Sequence, residues 1–487
     1  MTASIVRPLL AAAVTLALAA CAIPPKPERP PLRAAAPLAG VAAQPDGRWP
    51  EAEWWTRYGD DQLDALERQA LAGAPVLAEA RTRFGAALRA IELARAAGGL
   101  SAQASAQVQR QRLSEHGLIP PQFLGFTWYN QGDLGLAFQY DFDFWGKNRA
   151  AVAAAVDEAH AAAAERSSAA LLLTSAVADT YFGWQADQAR LALANDTVAA
   201  LQRVRALTAQ RVARGIELPD SLHQADAQVA AARELAAAYA GSAPIRLAAL
   251  AALLGVAPAE LPTLAARPLP AVDAALPADA GLDLLARRPD IAASRWRVEA
   301  ALAGVEQARA AFYPDISLGA MVGLSSIDLG KLLTTGSRVA GFGPALHLPV
   351  FSHGRLRAAY GISQAELEAA AAQYDATVVE AARDVATQAL TLQQLDARAQ
   401  ERAQQVAAAE RLVRTTAARV ERGLSDDRSR LAATVDALQQ RDAAVTLAAQ
   451  ALSAQVALTK ALGGGYRMTP VAAGATVPSL SANPEPR

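Results

Sequence analysis

The chain has 487 residues, of which 52% are hydrophobic, 5% aromatic and 19% charged, and its formal net charge is −1. This length allows several substructures, and the balanced charge excludes the basic surface that is typical of nucleic-acid-binding proteins. The sequence has no run of about 18 apolar residues free of polar groups, so any membrane-spanning part is expected to be a β-barrel.

The amino terminus has the pattern of a bacterial lipoprotein signal. Arg7 precedes an apolar run from Leu9 to Ala20, which is too short to span a membrane and ends in small residues before Cys21. Residues 1–20 are therefore predicted to be removed, and Cys21 to carry an S-diacylglycerol and an N-acyl lipid. A buried structural thiol is the alternative, which the Pro-rich residues 23–31 disfavour. Ala22 favours sorting to the outer membrane.

An aromatic cluster opens the mature domain. Trp54, Trp55 and Tyr58 lie near a predicted helix start, and we interpret them as core anchors in preference to partner contacts.

The first half then predicts two β-strands. Residues 133–145 alternate strictly, with Leu, Phe and Tyr on one face and Gly, Ala, Gln and Asp on the other. Residues 101–111 set Ala and Val against Ser and Gln in the same way. Asp141 and Asp143 occupy the polar face, where they are predicted either to line a lumen or to form hydrogen bonds across the barrel base. Strands of about ten residues match the hydrocarbon core of a bilayer.

A very long helix follows the strands. Residues 147–214 are Ala-rich and contain no proline, which predicts a helix of about 100 Å at about 1.5 Å per residue. The helix is predicted to end at Arg214-Gly215-Ile216, with Gly215 relieving left-handed backbone strain and Ser221 capping a returning helix. Gly241, Pro244, Gly255 and the prolines from 258 to 277 then predict a break in the helical pattern and a crossover between halves.

The second half repeats the first at an offset of 208 residues. Gly135 corresponds to Gly343, the tip Arg214-Gly215-Ile216 to Arg422-Gly423-Leu424, and Ser221 to Ser429, again as a predicted N-cap. Residues 316–324 and 342–350 alternate as strands, and residues 355–422 form the second long helix. This helix keeps a heptad of Val378, Val385, Leu392, Ala399, Val406, Val413 and Val420, which is typical of a coiled coil. Each half therefore builds a helical hairpin, and four strands in one chain cannot close a barrel.

Separated motifs along the chain, in this order, resemble the outer-membrane factor family of tripartite efflux pumps, in particular its NodT-type, TolC-like lipoproteins. They are Trp49–Pro50, Trp54–Asp60, Tyr140–Lys147, Arg287–Ile291, Phe312–Leu318, Leu348–Phe351, Gly354–Arg357 and Ala461–Gly465.

The resemblance implies an α+β membrane protein. Three copies would close a twelve-stranded barrel in the outer membrane, four strands from each, and continue as a tunnel of helical hairpins, an α-barrel, across the periplasm. It also implies a periplasmic adaptor (membrane fusion protein) and an inner-membrane pump of RND type as partners, outer-membrane lipid around the barrel, and no nucleic acid.

The expected organisation has six segments. Residues 1–20 are the signal, 21–48 a lipidated Pro-rich linker, 49–260 the first repeat, 261–280 an equatorial crossover, 281–466 the second repeat and 467–487 a disordered tail.

The resemblance assigns adaptor contact to the tips Arg214-Gly215-Ile216 and Arg422-Gly423-Leu424. Family members close the tunnel with carboxylates and arginine linkages near an Asp six positions after each tip glycine, where this chain has Ser221 and Ser429. The gate is therefore expected to be altered. Its candidate residues are Asp220, Asp426, Asp427 and Arg428, whose alternative interpretation is as solvated charges at turns and helix starts.

The expected function is a passive exit duct for small molecules such as drugs, without enzymatic activity. A type I protein secretion duct and a lipid-anchored periplasmic coiled-coil scaffold are the alternatives. No cofactor is expected apart from the lipid on Cys21. The five histidines lack metal-ligand spacing, and no catalytic or phosphate-binding motif is present in the sequence.

Overall fold

The computed structural model of the protein describes residues 23–36, 47–116, 121–272, 277, 280–349 and 351–468. The predicted signal, Cys21 and nearly all of the predicted disordered tail lie outside the described residues.

The described ranges contain eight helices of eight or more residues, labelled α1 to α8, and four strands, labelled β1 to β4. The first half contains α1 (Asp61–Gly73), α2 (Pro75–Ala97), β1 (Ser101–Arg112), β2 (Trp128–Phe142), α3 (Lys147–Ala213) and α4 (Pro219–Leu254). The second half contains α5 (Ala280–Arg287), α6 (Pro289–Ala310), β3 (Asp315–Ser326), β4 (Arg338–His347), α7 (His353–Glu421) and α8 (Asp427–Ala461). The remaining helical pieces are short, namely Trp54–Tyr58, Pro121–Leu124, Pro258–Glu260, Leu329–Lys331 and Thr335–Ser337.

The four strands form one antiparallel sheet in the order β1-β2-β3-β4. Its register aligns the apolar face across the sheet, since Leu134 pairs with Leu324 and Leu136 with Val322. The opposite face carries the small and polar residues, as the alternation predicted. The outer edges of β1 and β4 have no partner strand among the described residues.

The two long helices contain 67 and 69 residues and each turns back into a hairpin. The predicted heptad of α7 is buried at Val378, Val385 and Leu392, whereas Ala399 is exposed. Nearer the tip, Ala409 and Thr416 are the buried positions. The burial stripe drifts around the helix because 3.6 residues per turn do not match a strict seven-residue repeat.

The predicted break at Gly241 and Pro244 is wrong. Helix α4 continues through both residues to Leu254, and the chain leaves it only at Gly255, which has a φ of 74°. Ser242, between them, donates to the Asp187 carboxylate of α3 at 2.8 Å, so packing of α4 against α3 overrides the local cost of the proline. By length and composition alone α4 is also apolar enough to cross a membrane, but here it is the second arm of a hairpin.

A hydrophobic core cluster joins the short helix Trp54–Tyr58 and α1 to α3. Trp54 and Trp55 are each 3% exposed and pack in one cluster with Leu63 and Val177, which confirms the expectation of core anchors. The adjoining crossover is tied by hydrogen bonds to α3 and to the start of α1, since the Arg267 backbone N–H donates to Gln185 Oε1 at 2.7 Å and the Arg267 side chain donates to the N-cap residue Asp60 at 2.8 Å.

A carboxyl group of α1 lies on the buried face of this helix. Glu67 in α1 is fully buried, and neither of its carboxyl oxygens has a hydrogen-bond partner among the described residues. Burial, with a smaller contribution from Asp64, raises the pKa of Glu67 from 4.5 to about 9, so Glu67 is a neutral acid at neutral pH.

Replacement of Glu67 tests this protonation state. The Glu67 pKa is higher in the folded state, so its contribution to stability is complete below pH 4.5 and is lost as the pH rises to about 9. Glu67→Gln, which keeps the shape without the charge, should raise the melting midpoint at pH 8 by several degrees, about 2–4 °C for each kcal/mol, and change it little at pH 5. Calorimetry at both pH values checks this, and equal shifts at both would contradict it. Exposed Glu79→Gln is the control.

Candidate docking and gating site at the hairpin tips

Each hairpin turns through the same backbone motif. At the first tip, Gly215 has a φ of 72°, its N–H donates to Val212 O at 2.9 Å, and the Ile216 N–H donates to Arg211 O at 2.9 Å. At the second tip, Gly423 has a φ of 70°, with equivalent bonds to Val420 O and Arg419 O at 3.0 and 2.9 Å. This is the Schellman arrangement, which requires a left-handed residue after the helix. The predicted role of both glycines in ending the helices is confirmed.

The tips also expose apolar side chains. Ile216 is 57% exposed and Leu424 is 74% exposed, and a Cβ added at Gly215 or Gly423 would meet no atom of the described residues within 4 Å. Leu218, which the sequence interpretation did not single out, is 72% exposed. Arg214 and Arg422 lie at the C-cap positions and are exposed as well. Each tip is thus an open knob with one or two uncovered apolar groups beside an arginine.

The predicted serine N-caps are wrong. Helix α4 begins at Pro219, so Ser221 lies inside its first turn, and Leu218 precedes it without a side-chain cap. Helix α8 is capped by Asp426, whose carboxylate accepts from the Ser429 N–H at 3.2 Å and the Ser429 hydroxyl at 3.0 Å. These bonds from Ser429 lower the Asp426 pKa, with smaller contributions from Arg428 and Arg211. Asp426 wins because it lies one residue before the helix, where an extended backbone directs its oxygens to the free N–H groups.

The charged candidates occupy different environments. Asp220 is exposed in the first turn of α4, and Asp427 accepts from Arg430 Nε at 2.6 Å within its own helix. Arg428 instead reaches the other hairpin, where it donates to Glu217. Among the four predicted gate residues, only Arg428 forms a hydrogen bond between the hairpins.

Glu217 is the residue that the sequence interpretation missed. Its carboxylate accepts from Arg428 of the second hairpin and from Arg211 Nε of the first at 2.8 Å. Its side chain is only 17% exposed, and its second oxygen is buried without a hydrogen-bond partner among the described residues. We call Arg211, Glu217 and Arg428 the inter-hairpin latch. The only signal in the sequence was a single acid between Ile216 and Leu218. Its partner in the other hairpin, Arg428, lies 211 residues away.

A second ion pair joins the two hairpins nearer the middle of the first long helix, α3. Arg190 of α3 donates to the Asp442 carboxylate of α8 at 2.9 and 3.2 Å, and its guanidinium also contacts Tyr239 of α4. Nearby, Arg246 donates to Asp187 at 2.6 Å across Gly183, where a Cβ would overlap the guanidinium. These ion pairs fix the spacing of α3, α4 and α8 above the tips.

The two aspartates assigned to the strand face separate in the structure. Asp141 remains on the polar face of β2, exposed, and accepts from Gln139 Nε2 at 3.0 Å. Asp143 lies beyond the strand, and its carboxylate accepts from the backbone N–H groups of Asn148 and Arg149 at 3.1 and 2.9 Å. The placement of Asp143 on the strand is therefore wrong. It caps α3 because Gly146, at the N-cap position, has no side chain to do so.

The segment that follows Cys21 lies extended along α6 and α7. The Pro24 carbonyl accepts from Arg309 Nε at 2.9 Å, Arg29 pairs with Glu299 at 2.7 Å, and the Arg33 carbonyl accepts from the Tyr374 hydroxyl at 3.3 Å. We call residues 23–36 the strap. Arg309 precedes β3 by six residues, so the amino-terminal end of the strap lies near the sheet.

Comparison with known proteins agrees with this architecture. The model of the outer membrane efflux protein family matches residues 66–256 and 282–464, one segment in each half. The chain belongs to this family.

The similarity extends over most of each relative. The multidrug resistance outer membrane protein MdtP of Shigella flexneri is 34% identical over 430 residues, covering 87% of this chain and 88% of MdtP. MdtQ of Escherichia coli O157:H7 is 35% identical over 426 residues, covering 86% and 89%. Among solved structures, the outer membrane protein VceC of Vibrio cholerae has a TM-score of 0.75 at 34% identity, covering 86% of this chain and all of VceC, and the outer-membrane channel OprN has 0.81 at 26%, covering 91% and 98%.

The protein is thus an outer-membrane efflux channel with long helical hairpins attached to transmembrane strands. Helices α2 and α3 join β1 and β2 at the same end of the sheet, and α6 and α7 join β3 and β4 there. The hairpins therefore extend to the periplasmic side, and the tips are the end farthest from the membrane.

The latch predicts a change in channel opening. Glu217→Gln removes the charge that holds Arg428 and Arg211, and one charged hydrogen bond contributes about 1.5–3 kcal/mol. The ratio of open to closed channel in planar bilayers should therefore rise about tenfold or more.

Glu421→Gln is the matched control and should leave the ratio unchanged, because it makes the same substitution at an exposed position near the second tip. Equal conductance in wild type and Glu217→Gln would mean that the latch does not hold the tips together.

Proposed function

We propose that three copies of this chain form one exit duct of a tripartite efflux system. The observation that supports this is the four-stranded sheet, which has a row of apolar side chains on one face and, within the described ranges, an unpaired edge on each side. Unpaired backbone groups are not tolerated in lipid, so the edges must pair with other strands. Three chains supply twelve strands, which close a barrel around a passage lined by the polar face.

The transported compounds are small molecules, including drugs, since the relatives are named for multidrug resistance. The duct carries no catalytic chemistry of its own. Transport energy comes from an inner-membrane pump of RND type, and a periplasmic adaptor joins the pump to the tips. The competing secretion-duct function is disfavoured by these relatives.

Deletion of the gene tests the proposal. The deleted strain should become more susceptible to several chemically unrelated drugs, and expression of the wild-type gene should restore resistance. Unchanged susceptibility across a broad panel of drugs, organic acids and metals would contradict a role in small-molecule efflux. A periplasmic coiled-coil scaffold would not form a conducting pore in planar bilayers.

Adaptor docking is assigned to Arg214, Gly215, Ile216, Arg422, Gly423 and Leu424. The support is the equivalent geometry of the two tips, their exposed apolar groups and the open space around both glycines. Three chains present six such knobs. A hairpin of an adaptor packs closely against a glycine because no side chain intervenes.

Substitution at the second tip tests docking. Gly423→Glu should abolish efflux, measured as drug accumulation in cells, because it places a charge and added bulk in the contact. Gly423→Asn is the control, since Asn tolerates the left-handed conformation at a smaller volume. The amount of heat-resistant oligomer in gels should remain normal for both variants. Efflux that persists with Gly215→Glu and Gly423→Glu combined would refute the assignment.

We propose that Cys21 is lipidated, and the position of the strap supports this. Pro24 is the third residue after Cys21, which allows at most about 10 Å of extended chain between them, and Pro24 is held by Arg309 near the start of β3. A lipid on Cys21 would therefore enter the membrane beside the barrel that already holds the protein there.

Mass spectrometry of the mature amino terminus checks this proposal. The wild-type protein should begin at Cys21 with three acyl chains, and an unmodified Cys21 peptide would contradict it. Cys21→Ala behind a cleavable signal should still insert and keep part of its efflux activity, because the barrel is the main membrane anchor.

A further inference from the structure

The outward face of the sheet carries arginines at the end farthest from the helices. Residues 113–127 connect β1 to β2 there, and residues 327–337 connect β3 to β4. Because the hairpins extend into the periplasm, this end lies at the external side of the outer membrane. Arg110 in β1 and Arg338 in β4 are on the same face as the apolar row, since each alternates in step with it.

The two arginines lie at similar heights despite their different register. Arg338 aligns through Leu324 with Leu134, and Arg110 aligns with Asn130, four residues nearer the outer end of β2. The strand ends nearest the helices are staggered in the same sense. There β1 begins opposite Gln139 of β2, whereas β3 reaches Ile316, which lies opposite Phe142 and therefore farther from the outer end. Such a stagger is the mark of tilted barrel strands. Arg110 is two residues from the outer end of β1, and Arg338 is the first residue of β4.

Neither arginine is neutralised within the described part of the chain. Two other cationic side chains at this end of the sheet have acidic partners. Arg112 pairs with Glu115 at 3.3 Å and Lys331 pairs with Asp328 at 3.5 Å. Arg110 instead lies over the Trp128 ring, 5.7 Å from its centroid, and Trp128 is 53% exposed. Tryptophan on the lipid face of a barrel prefers the level of the lipid headgroups.

The β3–β4 connection covers the same face. Gly132 points outward, and a Cβ there would meet Leu329 Cδ2 at 2.8 Å and Leu332 Cδ2 at 3.0 Å. The connection therefore folds down over the lipid side of β2. It leaves Leu333 and Ile327 exposed by 79% and 57%, so an apolar surface adjoins the unpaired arginines.

We propose that Arg110 and Arg338 bind phosphate groups of outer-leaflet lipids, with Trp128 at the level of the headgroups and the acyl chains lying against the β3–β4 connection and the apolar row. A guanidinium forms charge-assisted hydrogen bonds to phosphate oxygens. Lipid is the source of the phosphate because the arginines are continuous with the lipid-facing surface and exposed apolar groups surround them. The outer rim thereby fixes the depth of the barrel in the membrane.

Native mass spectrometry of the purified protein tests the proposal with two probes, a bisphosphorylated lipid A and the same lipid without its phosphates. Arg110→Gln with Arg338→Gln should weaken binding of the phosphorylated lipid by about fivefold for each arginine replaced and leave the dephosphorylated lipid unchanged. Arg110→Lys with Arg338→Lys should retain most of the binding.

Arg81→Gln with Arg398→Gln is the control, because it removes the same charge from exposed helical positions. The oligomer mass in the same spectra reports that each variant assembles. Unchanged affinity of the double Gln variant for phosphorylated lipid, or an equal loss for both lipids, would overturn the proposal.

Discussion

A β-sheet inside a bilayer must satisfy all of its backbone hydrogen bonds, and the rest of this structure depends on that constraint. The described part of one chain supplies four strands with an apolar face and two unpaired edges, so the sheet is complete only when other copies extend it. Once a barrel is closed, the helices attached to one of its ends lie side by side around the same axis. The internal repeat then has a physical purpose, because each copy contributes two similar hairpins to a continuous wall.

The two halves differ where they meet the periplasm. Gly215 and Gly423 have nearly the same backbone conformation, but Glu217 corresponds by the repeat offset to Ser425, and Leu218 corresponds to Asp426. The first tip therefore contributes the acid of the inter-hairpin latch and an additional apolar group. The second contributes Arg428 and a helix capped by its own aspartate. Because the two tips are similar, the same partner contact can be made at both hairpins. Because Glu217 and Arg428 differ from their counterparts in the other half, an ion pair joins the two hairpins.

The regular elements were predictable because their signals are local. Alternation located the four strands, and the absence of breaking residues located both long helices. The errors arose where several local choices compete. Pro244 did not end α4 because packing against α3 outweighs one lost hydrogen bond, and Asp426 displaced Ser429 as the cap by its position before the helix. Asp143 left the strand to cap α3. Glu217 escaped prediction because its role depends on Arg428, which only the packing of the two hairpins brings to it.

Electron cryomicroscopy of the purified full-length protein in lipid nanodiscs can show directly how the strands of neighbouring copies pair. We expect a threefold particle in which β4 of each copy pairs with β1 of the next, giving twelve strands in the membrane and a helical tunnel below them. The latch between the hairpins of each copy should be visible in the closed state. A particle with another number of strands, or one in which the edges of β1 and β4 remain unpaired in lipid, would show that the barrel is not closed by three copies of this sheet.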